Sequence, residues 1–499
     1  MISEFFKGRE IFITGGSGIL GKALIEKLLR SCNIGKIYIL LRPKNRTPLQ
    51  ERLKTLKQDK IFRRLNSEKP NEFDDKICPI PGDVELPMLG ITPEYMKLLA
   101  NVSIVFHGAA TVRFDEPLLQ AVKLNVGGTL EALRFGETLK HLEVFMHVST
   151  FFSNPYLEFT EAKLYEPPMD WKFLLNLANR NDISEEIMEA LTRKLIIGFP
   201  NTYCFTKNIA ESLVNDFCDK LPLVIYRPAI LIMSAEEPEP GFPTNLTGAV
   251  GMFVLTGTGL LKVMNSPKEV FIDFTPQDLA IKSMAFFAMK TAQIYAQDCR
   301  PTEIPIFHTS MYTHIDVTYA GYVDLLLENG IFRDAAYNKN LLLPGIKFTT
   351  NNLIFYFLFI LKHILPALLV DFLLILFGRK PVVMKAQRKT LIMMQVLLPF
   401  TWNTYKSNGI CCAEEMMQKL HGTEFNMDIL RIANLNSTLL AVARSTSFAV
   451  REILLKEDPS TLPRARRILQ IKYLLYRLVQ FYFAYKLYHI IVRWIFKQL

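Results

Sequence analysis

The segment Ile11-Phe-Ile-Thr-Gly-Gly-Ser-Gly-Ile-Leu-Gly21 constrains the fold of this chain more than any other. A short apolar run, Ile11–Ile13, ends at Thr14. Glycines stand at 15, 18 and 21, and a helical spacing of Ala23, Leu24, Leu28 and Leu29 follows. The pattern predicts a buried strand, a tight turn and a helix. Each glycine has a task in such a unit. Gly15 permits the turn, Gly18 lets the backbone approach a pyrophosphate, and Gly21 lets the helix pack on the strand. Amides freed at the helix start then face an anion along the helix dipole. Thr14, Gly15, Gly16, Ser17, Gly18, Ile19 and Gly21 are therefore expected to line a dinucleotide site.

Strand-like apolar runs recur at 11–14, 37–41, 77–80, 104–107, 144–149 and 223–227, separated by helical stretches. Such alternation predicts an α/β fold, a Rossmann-type doubly wound parallel sheet with helices on both faces. This domain is expected to span 1–345. Within it, 155–200 carries Pro167-Pro168 and a charged helical stretch, and reads as an insertion beside the site. The Gly- and Pro-rich 230–345 reads as a substrate lobe. A mainly helical domain, 346–456, contains the nearly continuous apolar run Leu353–Gly378. Asp458-Pro459 and Pro463 then lead into a basic, aromatic tail within 457–499.

Half of the 499 residues are apolar, and the mean hydropathy is +0.17. These values are high for a soluble enzyme and low for a multi-span transporter. Seven cysteines form no Cys-x-x-Cys pair. Reduced thiols in a cytosol-facing protein are expected, and no metal centre. The first ten residues lack an apolar signal core, so secretory targeting is not expected. The net charge is +10, but residues 464–499 hold eight Lys or Arg and no acid, which leaves +2 elsewhere. The basic character belongs to the tail, so a nucleic-acid-binding reading of the whole chain loses its basis.

Arg42 closes the second strand, where an NAD-preferring site places a carboxylate for the ribose hydroxyls. No acid occurs from 37 to 45, and Lys44 follows. A 2′-phosphate is welcome there, so NADPH is the expected cofactor. Asp83, with Val84 beside it, follows the third strand and can accept from an adenine amino group. His107 is expected to be a packed strand-end residue, and the small Ala109, Ala110 and Thr111 after it admit the cofactor. The Asn125 amide can brace the helix beneath the site.

Tyr203 and Lys207 lie four apart and so share a helix face about one turn apart. At that separation an ammonium lowers the pKa of a phenol, and it can also hold a nicotinamide ribose. A phenol so tuned acts as a general acid to a carbonyl oxygen receiving hydride. Ser149 and Thr150, at the fifth strand's end, compete to donate a hydrogen bond to that oxygen. Strand alternation lets only one of them point inward, and Thr150 is preferred. Cys204 turns away from Tyr203 on the helix and is expected to pack in the core.

Together these residues resemble the alcohol-forming fatty acyl-CoA reductases, extended short-chain dehydrogenase/reductases with an added C-terminal domain. The resemblance runs through Thr14–Gly21, Ile39-Leu-Leu-Arg-Pro-Lys44, Pro81-Gly-Asp83, His107-Gly-Ala-Ala-Thr111 and Asn125-Val-Gly-Gly-Thr129. It continues through His147-Val-Ser-Thr150, Pro200-Asn-Thr-Tyr203 with Thr206-Lys207, and Tyr226-Arg-Pro-Ala229. Further on it includes Pro240-Gly241, Asn245, Gly248, His363–Asp371 and Lys380-Pro381. The resemblance implies cofactor contacts from Pro228 and Ala229 beside those above. It implies NADPH-dependent reduction of a long-chain acyl-CoA to a primary alcohol, with release of coenzyme A, through an aldehyde. Ile19 departs from the family's usual aromatic residue, Phe151-Phe152 from a smaller residue followed by an aromatic, and 426–447 match only loosely. Two other readings are an extended reductase for a sterol, sugar nucleotide or free aldehyde, and a membrane scaffold that binds nucleotide without turnover. The tail and 353–450 speak against the first, and the joint presence of Thr150, Tyr203 and Lys207 against the second. Chain-length preference and oligomeric state are not encoded legibly.

Leu353–Gly378 exceeds the roughly 20 residues that span a bilayer. Lys362, His363, Pro366 and Asp371 interrupt it, and a charge at bilayer depth costs about 2.5–3.5 kcal/mol. An internal core, a hairpin bent at Pro366 and a true span all remain open. In the tail, Lys472, Lys486, Arg493 and Lys497 fall within about 60° of one another on a helix. A basic stripe opposite an aromatic-aliphatic face is expected to lie in an anionic membrane surface. A spanning anchor with snorkelling bases is the rival. The catalytic domain is expected to face the cytosol at the endoplasmic reticulum, with the peroxisomal membrane as the alternative. The terminal Lys-Gln-Leu is a poor match to the Ser-Lys-Leu address.

Overall fold

A computed structural model describes residues 1–43, 48–180, 182–243, 245–246, 248–297, 301–315, 317–431 and 435–498. Seven parallel strands form its main sheet: β1 (Glu10–Thr14), β2 (Lys36–Leu41), β3 (Ile77–Pro81), β4 (Val102–His107), β5 (Val144–Val148), β6 (Leu223–Pro228) and β7 (Ile306–Thr309). Their order is β7-β6-β5-β4-β1-β2-β3. Ile11 pairs with both Ile37 and Ile104, so β1 lies between β2 and β4. β4 and β5 are buried at every residue, as continuous apolar runs require when helices cover both faces. The chain order reverses between β1 and β4, which opens a ligand crevice beyond the carboxyl ends of these strands.

The sheet belongs to the first of two compact units, built from 1–244, 271–317 and 399–438; the second comprises 245–270, 318–398 and 439–499. Both are discontinuous in sequence. β7 is a strand that the apolar runs did not announce. It has four residues, one of them His308, too short a pattern to stand out within the expected substrate lobe.

In the second unit the apolar run becomes one helix of 25 residues (Asn352–Leu376), long and apolar enough to cross a membrane. The hairpin bent at Pro366, one of three open readings, is corrected. A single π turn at Ile360–Ile364 precedes the proline and the helix continues through it. The wider turn absorbs the missing N–H and the clash of the proline ring with the preceding turn. An internal core is corrected too, because only 22% of the apolar window is buried within the protein.

The C-terminal helix, Leu462–Gln498, is seated in the second unit by Ala465 and Leu469. Lys472 Nζ donates to the carbonyls of Asn340 (2.6 Å) and Leu341 (3.4 Å). The expected basic stripe therefore loses Lys472 to its own unit, and the Lys497 side chain lies outside the described residues. Leu478, Val479, Phe481, Tyr482, Phe483 and Tyr485 are all exposed. Near-consecutive positions occupy every face of a helix, so this stretch presents no single apolar side.

Candidate active site

β1 delivers the chain into the glycine turn, and α1 (Ile19–Ser31) leaves it with Gly18 as its N-cap. Gly15 has φ +75°, and a Cβ there would lie 2.7 Å from the Gly108 backbone. At Gly21 a Cβ would lie 2.4 Å from the Gly15 carbonyl oxygen. A side chain at Gly15 would displace the loop after β4, and one at Gly21 would push the helix off the turn. Ser17 and Gly18 are exposed at the crest, where the first amides of α1 are free to meet a phosphate.

Arg42, just past β2, forms ion pairs with Asp83 (2.6 Å) and Glu85 (2.8 Å). The acid missing from the end of β2 thus arrives from beyond β3. Asp83, expected at an adenine, is committed to this guanidinium, while Lys44 lies outside the described residues. Val84 is buried and packs where a Cβ on Gly128 would come within 3.1 Å of it.

At the end of β4, His107 is fully buried between Thr14 Oγ1 (2.9 Å) and Thr129 Oγ1 (3.2 Å). The Thr129 hydroxyl donates to the Asn125 carbonyl at 2.6 Å. His107 Nε2–H must therefore donate to Thr129, which leaves Nδ1 to accept from Thr14. Thr14 Oγ1 in turn accepts the Ala109 amide at 3.1 Å. Burial holds the imidazole down to about 3, so it stays neutral. His107 is a clamp between the glycine turn and the β4 loop. That loop, Ala109–Thr111, is also tied to Asn125, whose Oδ1 accepts from Thr111 N (2.8 Å) and whose Nδ2 donates to Thr206 Oγ1 (2.9 Å). Asn125 sits in a π turn, Lys123–Gly127.

Thr206 belongs to α2 (Thr202–Asn215), which is capped by Asn201 Oδ1 accepting from Cys204 N at 2.8 Å. Tyr203 and Lys207 project from its first turns. The Thr150 side chain lies close enough to the Tyr203 hydroxyl to favour its ionised form, but desolvation dominates and raises that phenol well above its usual value. Lys207 is buried, donates to the Val148 carbonyl at 2.7 Å, and is brought down to about 8 by burial, with Glu211 opposing. The expected lowering of the phenol by Lys207 is not what this arrangement produces, because desolvation dominates. Cys204 is buried in the main core.

Thr150 and Ser149 separate as alternation requires. The Ser149 hydroxyl donates to Glu211, which also binds Arg227 side-on through Nε and Nη2 (2.8 and 2.6 Å). Arg227 has no exposed surface and donates further to the carbonyls of Glu161 (3.2 Å) and Lys163 (3.0 Å). Pro228 and Ala229 follow at the end of β6, where the Ala229 amide donates to Thr309. Sequence reasoning missed Glu211 as a member of the site. Its signal was its place one turn past Lys207 on a buried helix face. It also missed the aromatic wall beside Tyr203: Phe114 stacks on it at 5.8 Å, Phe400 follows at 5.4 Å, and Phe152 at 5.1 Å from Phe400.

An NAD-binding family profile, described as male sterility protein, matches residues 13–284. Fatty acyl-CoA reductase 1 of Rattus norvegicus is 33% identical over 93% of this chain and 88% of its own. Fatty acyl-CoA reductase wat of Drosophila melanogaster is 31% identical over 96% and 91%. Among solved structures, the terminal R domain of a myxalamid PKS-NRPS pathway aligns with TM-score 0.56 and 19% identity over 88% of this chain and 90% of that one. The R domain of a nonribosomal peptide synthetase from Mycobacterium tuberculosis gives 0.55 and 15% over 90% and 93%. These two likenesses are of fold.

Proposed function

The chain belongs to the fatty acyl-CoA reductase family, and from that premise we propose how its first unit reduces a long-chain acyl-CoA to a primary alcohol. The observation that carries the reading is the joining of Thr150, Tyr203 and Lys207 in the crevice of a glycine-turn nucleotide fold. The cradle fits a dinucleotide, since the glycine backbone stands where any Cβ would collide and no side chain caps the start of α1. A bound dihydronicotinamide supplies hydride. The chain's own residues do the remainder. The Gly15–Gly18 turn holds the pyrophosphate, and Lys207 holds the ribose. Thr150 donates a hydrogen bond to the thioester oxygen, and Tyr203, kept protonated by its raised pKa, gives that oxygen a proton. The resulting hemithioacetal expels coenzyme A to leave an aldehyde. A second passage through the same groups gives the alcohol. The wall of Phe114, Phe152 and Phe400 offers apolar surface for an acyl chain next to Tyr203.

The cofactor is NADPH in this reading, with Arg42 facing the 2′-phosphate. Asp83 and Glu85 hold Arg42 and compete with that phosphate. Arg42→Asp is expected to reverse the preference toward NADH, read as kcat/KM for the two cofactors in both proteins. Equal use of NADH and NADPH by the unaltered chain overturns the assignment. The chain docks at a cytosol-facing membrane, that of the endoplasmic reticulum, with the peroxisome as alternative. The acid-free basic tail supports this, since basic segments stay cytosolic. The test of the reaction is incubation of purified protein with NADPH and acyl-CoAs of graded length, with lipid products identified by mass spectrometry. Recovery of no alcohol or aldehyde from any of them overturns it.

A further inference from the structure

The helix Asn352–Leu376, termed α3 here, buries one stripe and exposes the rest. Phe355, Phe359, His363, Ala367 and Asp371 are buried at intervals of four. Two of the residues that seemed to interrupt the apolar run, His363 and Asp371, lie on this inner stripe and have partners there. His363 Nε2 accepts from the amides of Lys262 and Val263, both at 3.1 Å, and Nδ1 pairs with Gln387 Oε1 at 2.9 Å. Asp371 accepts the amides of Val382 (2.9 Å), Val383 (2.9 Å) and Met384 (2.8 Å). Val382 precedes, and Val383 and Met384 begin, α4 (Val383–Trp402). The two clasps stand eight residues apart, about 12 Å along the helix. Detaching α3 would orphan five backbone amides, so the helix is bound lengthwise to its own unit.

The outer face is different. Every exposed residue from 353 to 377 is apolar. Phe357, Leu361, Leu365, Leu368, Phe372 and Leu376 have between 48% and 66% of their surface open. The charge around this face is one-sided. From 335 to 398 the chain carries eight Lys or Arg and a single acid, Asp371, which is consumed by its clasp. Arg379, Lys380, Lys385, Arg388 and Lys389 are exposed just beyond the helix. An apolar face with a basic border fits the acyl and anionic layers of one membrane leaflet. A crossing arrangement would carry the clasped segment at Lys262 and Val263 and the basic start of α4 to bilayer depth, where charges are disfavoured.

We propose that α3 docks the second unit flat on one leaflet of an anionic membrane, its outer face among the acyl chains and its basic border on the headgroups. This extends the membrane docking proposed above, and it stands on residues apart from the C-terminal helix and the reductase site.

The test uses the full chain on phosphatidylcholine vesicles with and without phosphatidylserine. A genetically encoded fluorescent amino acid is placed, in separate variants, at 357, 361, 365, 368 and 372. Quenching by lipids brominated at stepped acyl positions reads the depth of each. The expected result is one shared shallow depth, about 5–10 Å into the interface, with stronger quenching when phosphatidylserine is present. The triple variant Lys385→Glu, Arg388→Glu, Lys389→Glu should lose about tenfold or more of that serine-lipid gain. A depth that changes steadily from 357 to 372 would show a span and overturn the proposal. So would absence of quenching at all five positions, or probes already shielded in a lipid-free dimer, which assigns the face to a second copy. NADPH-dependent turnover of a water-soluble short acyl-CoA, followed in the same samples, reads the reductase separately.

Discussion

Lys207 has to be charged in a place that disfavours charge. Burial brings its amine down to about 8 while the Glu211 carboxylate pulls it up. The ammonium is present below that value and lost above it, so kcat/KM should fall on the alkaline side with an apparent pKa near 8. Glu211→Gln removes the charge that favours the ammonium and should move this limb to lower pH. The same change strands the buried Arg227, a loss of about 3–5 kcal/mol, so it is best made together with Arg227→Met. A limb that stays in place would show that Glu211 does not act through Lys207. Tyr203→Phe should lower alcohol formation by at least about a hundredfold, the loss of a general acid, with NADPH binding nearly intact. Lys207→Ala should impair both. Wild-type turnover by Tyr203→Phe would reassign the acid. The residue types and spacing of Tyr203, Lys207 and Thr150 were readable along the chain because they follow a strand end or share a helix turn. The Arg42–Asp83 pair was not, because it joins the ends of two strands that only the folded sheet makes neighbours.

At the scale of elements, local pattern and tertiary contact divide the work in the same way. The apolar runs announced the strands from β1 to β6, since continuous burial leaves a continuous signal. They did not announce β7, which is short and carries a histidine. Pro366 and the polar residues around it suggested a broken helix, yet a π turn absorbs the proline, and His363 and Asp371 bind backbone amides of neighbouring segments. Asp371 is the clearest case. It reads as a flaw in an apolar span and acts as the cap of the next helix, taking three amides. Asp371→Ala should cost about 1–2 kcal/mol, as loss of a helix cap does. Hydrogen exchange at the amides of 382–384 is the direct measurement, and these should exchange faster while the amides of β1 and β4 do not change. Unchanged protection at 382–384 would remove the cap from this account.

For the whole molecule, the C-terminal helix and α3 make separable claims on a membrane. The helix is fastened to the second unit as far as Lys472, by Ala465, Leu469 and the lysine's bonds to Asn340 and Leu341. Beyond it, residues 474–492 are almost wholly exposed, with apolar and aromatic side chains on every side and Arg477, Gln480, Lys486 and His489 among them. That stretch covers about 28 Å as a helix, close to the roughly 30 Å of a hydrocarbon core. Those four polar residues are spread around the helix rather than gathered on one side, and a helix held on a surface needs a polar side. The tail beyond 473 is thus the candidate for firm anchoring, and α3 for a charge-assisted contact that sets how the second unit meets the surface. Ending the chain after Tyr473 preserves the contacts that seat the helix and removes only the exposed stretch. The full-length protein should require detergent for release from membranes. The shortened protein should be released by high salt yet still bind vesicles containing phosphatidylserine, because the outer face of α3 and its basic border remain. Continued need for detergent would show that the tail is not the firm anchor. Complete loss of vesicle binding would count instead against α3.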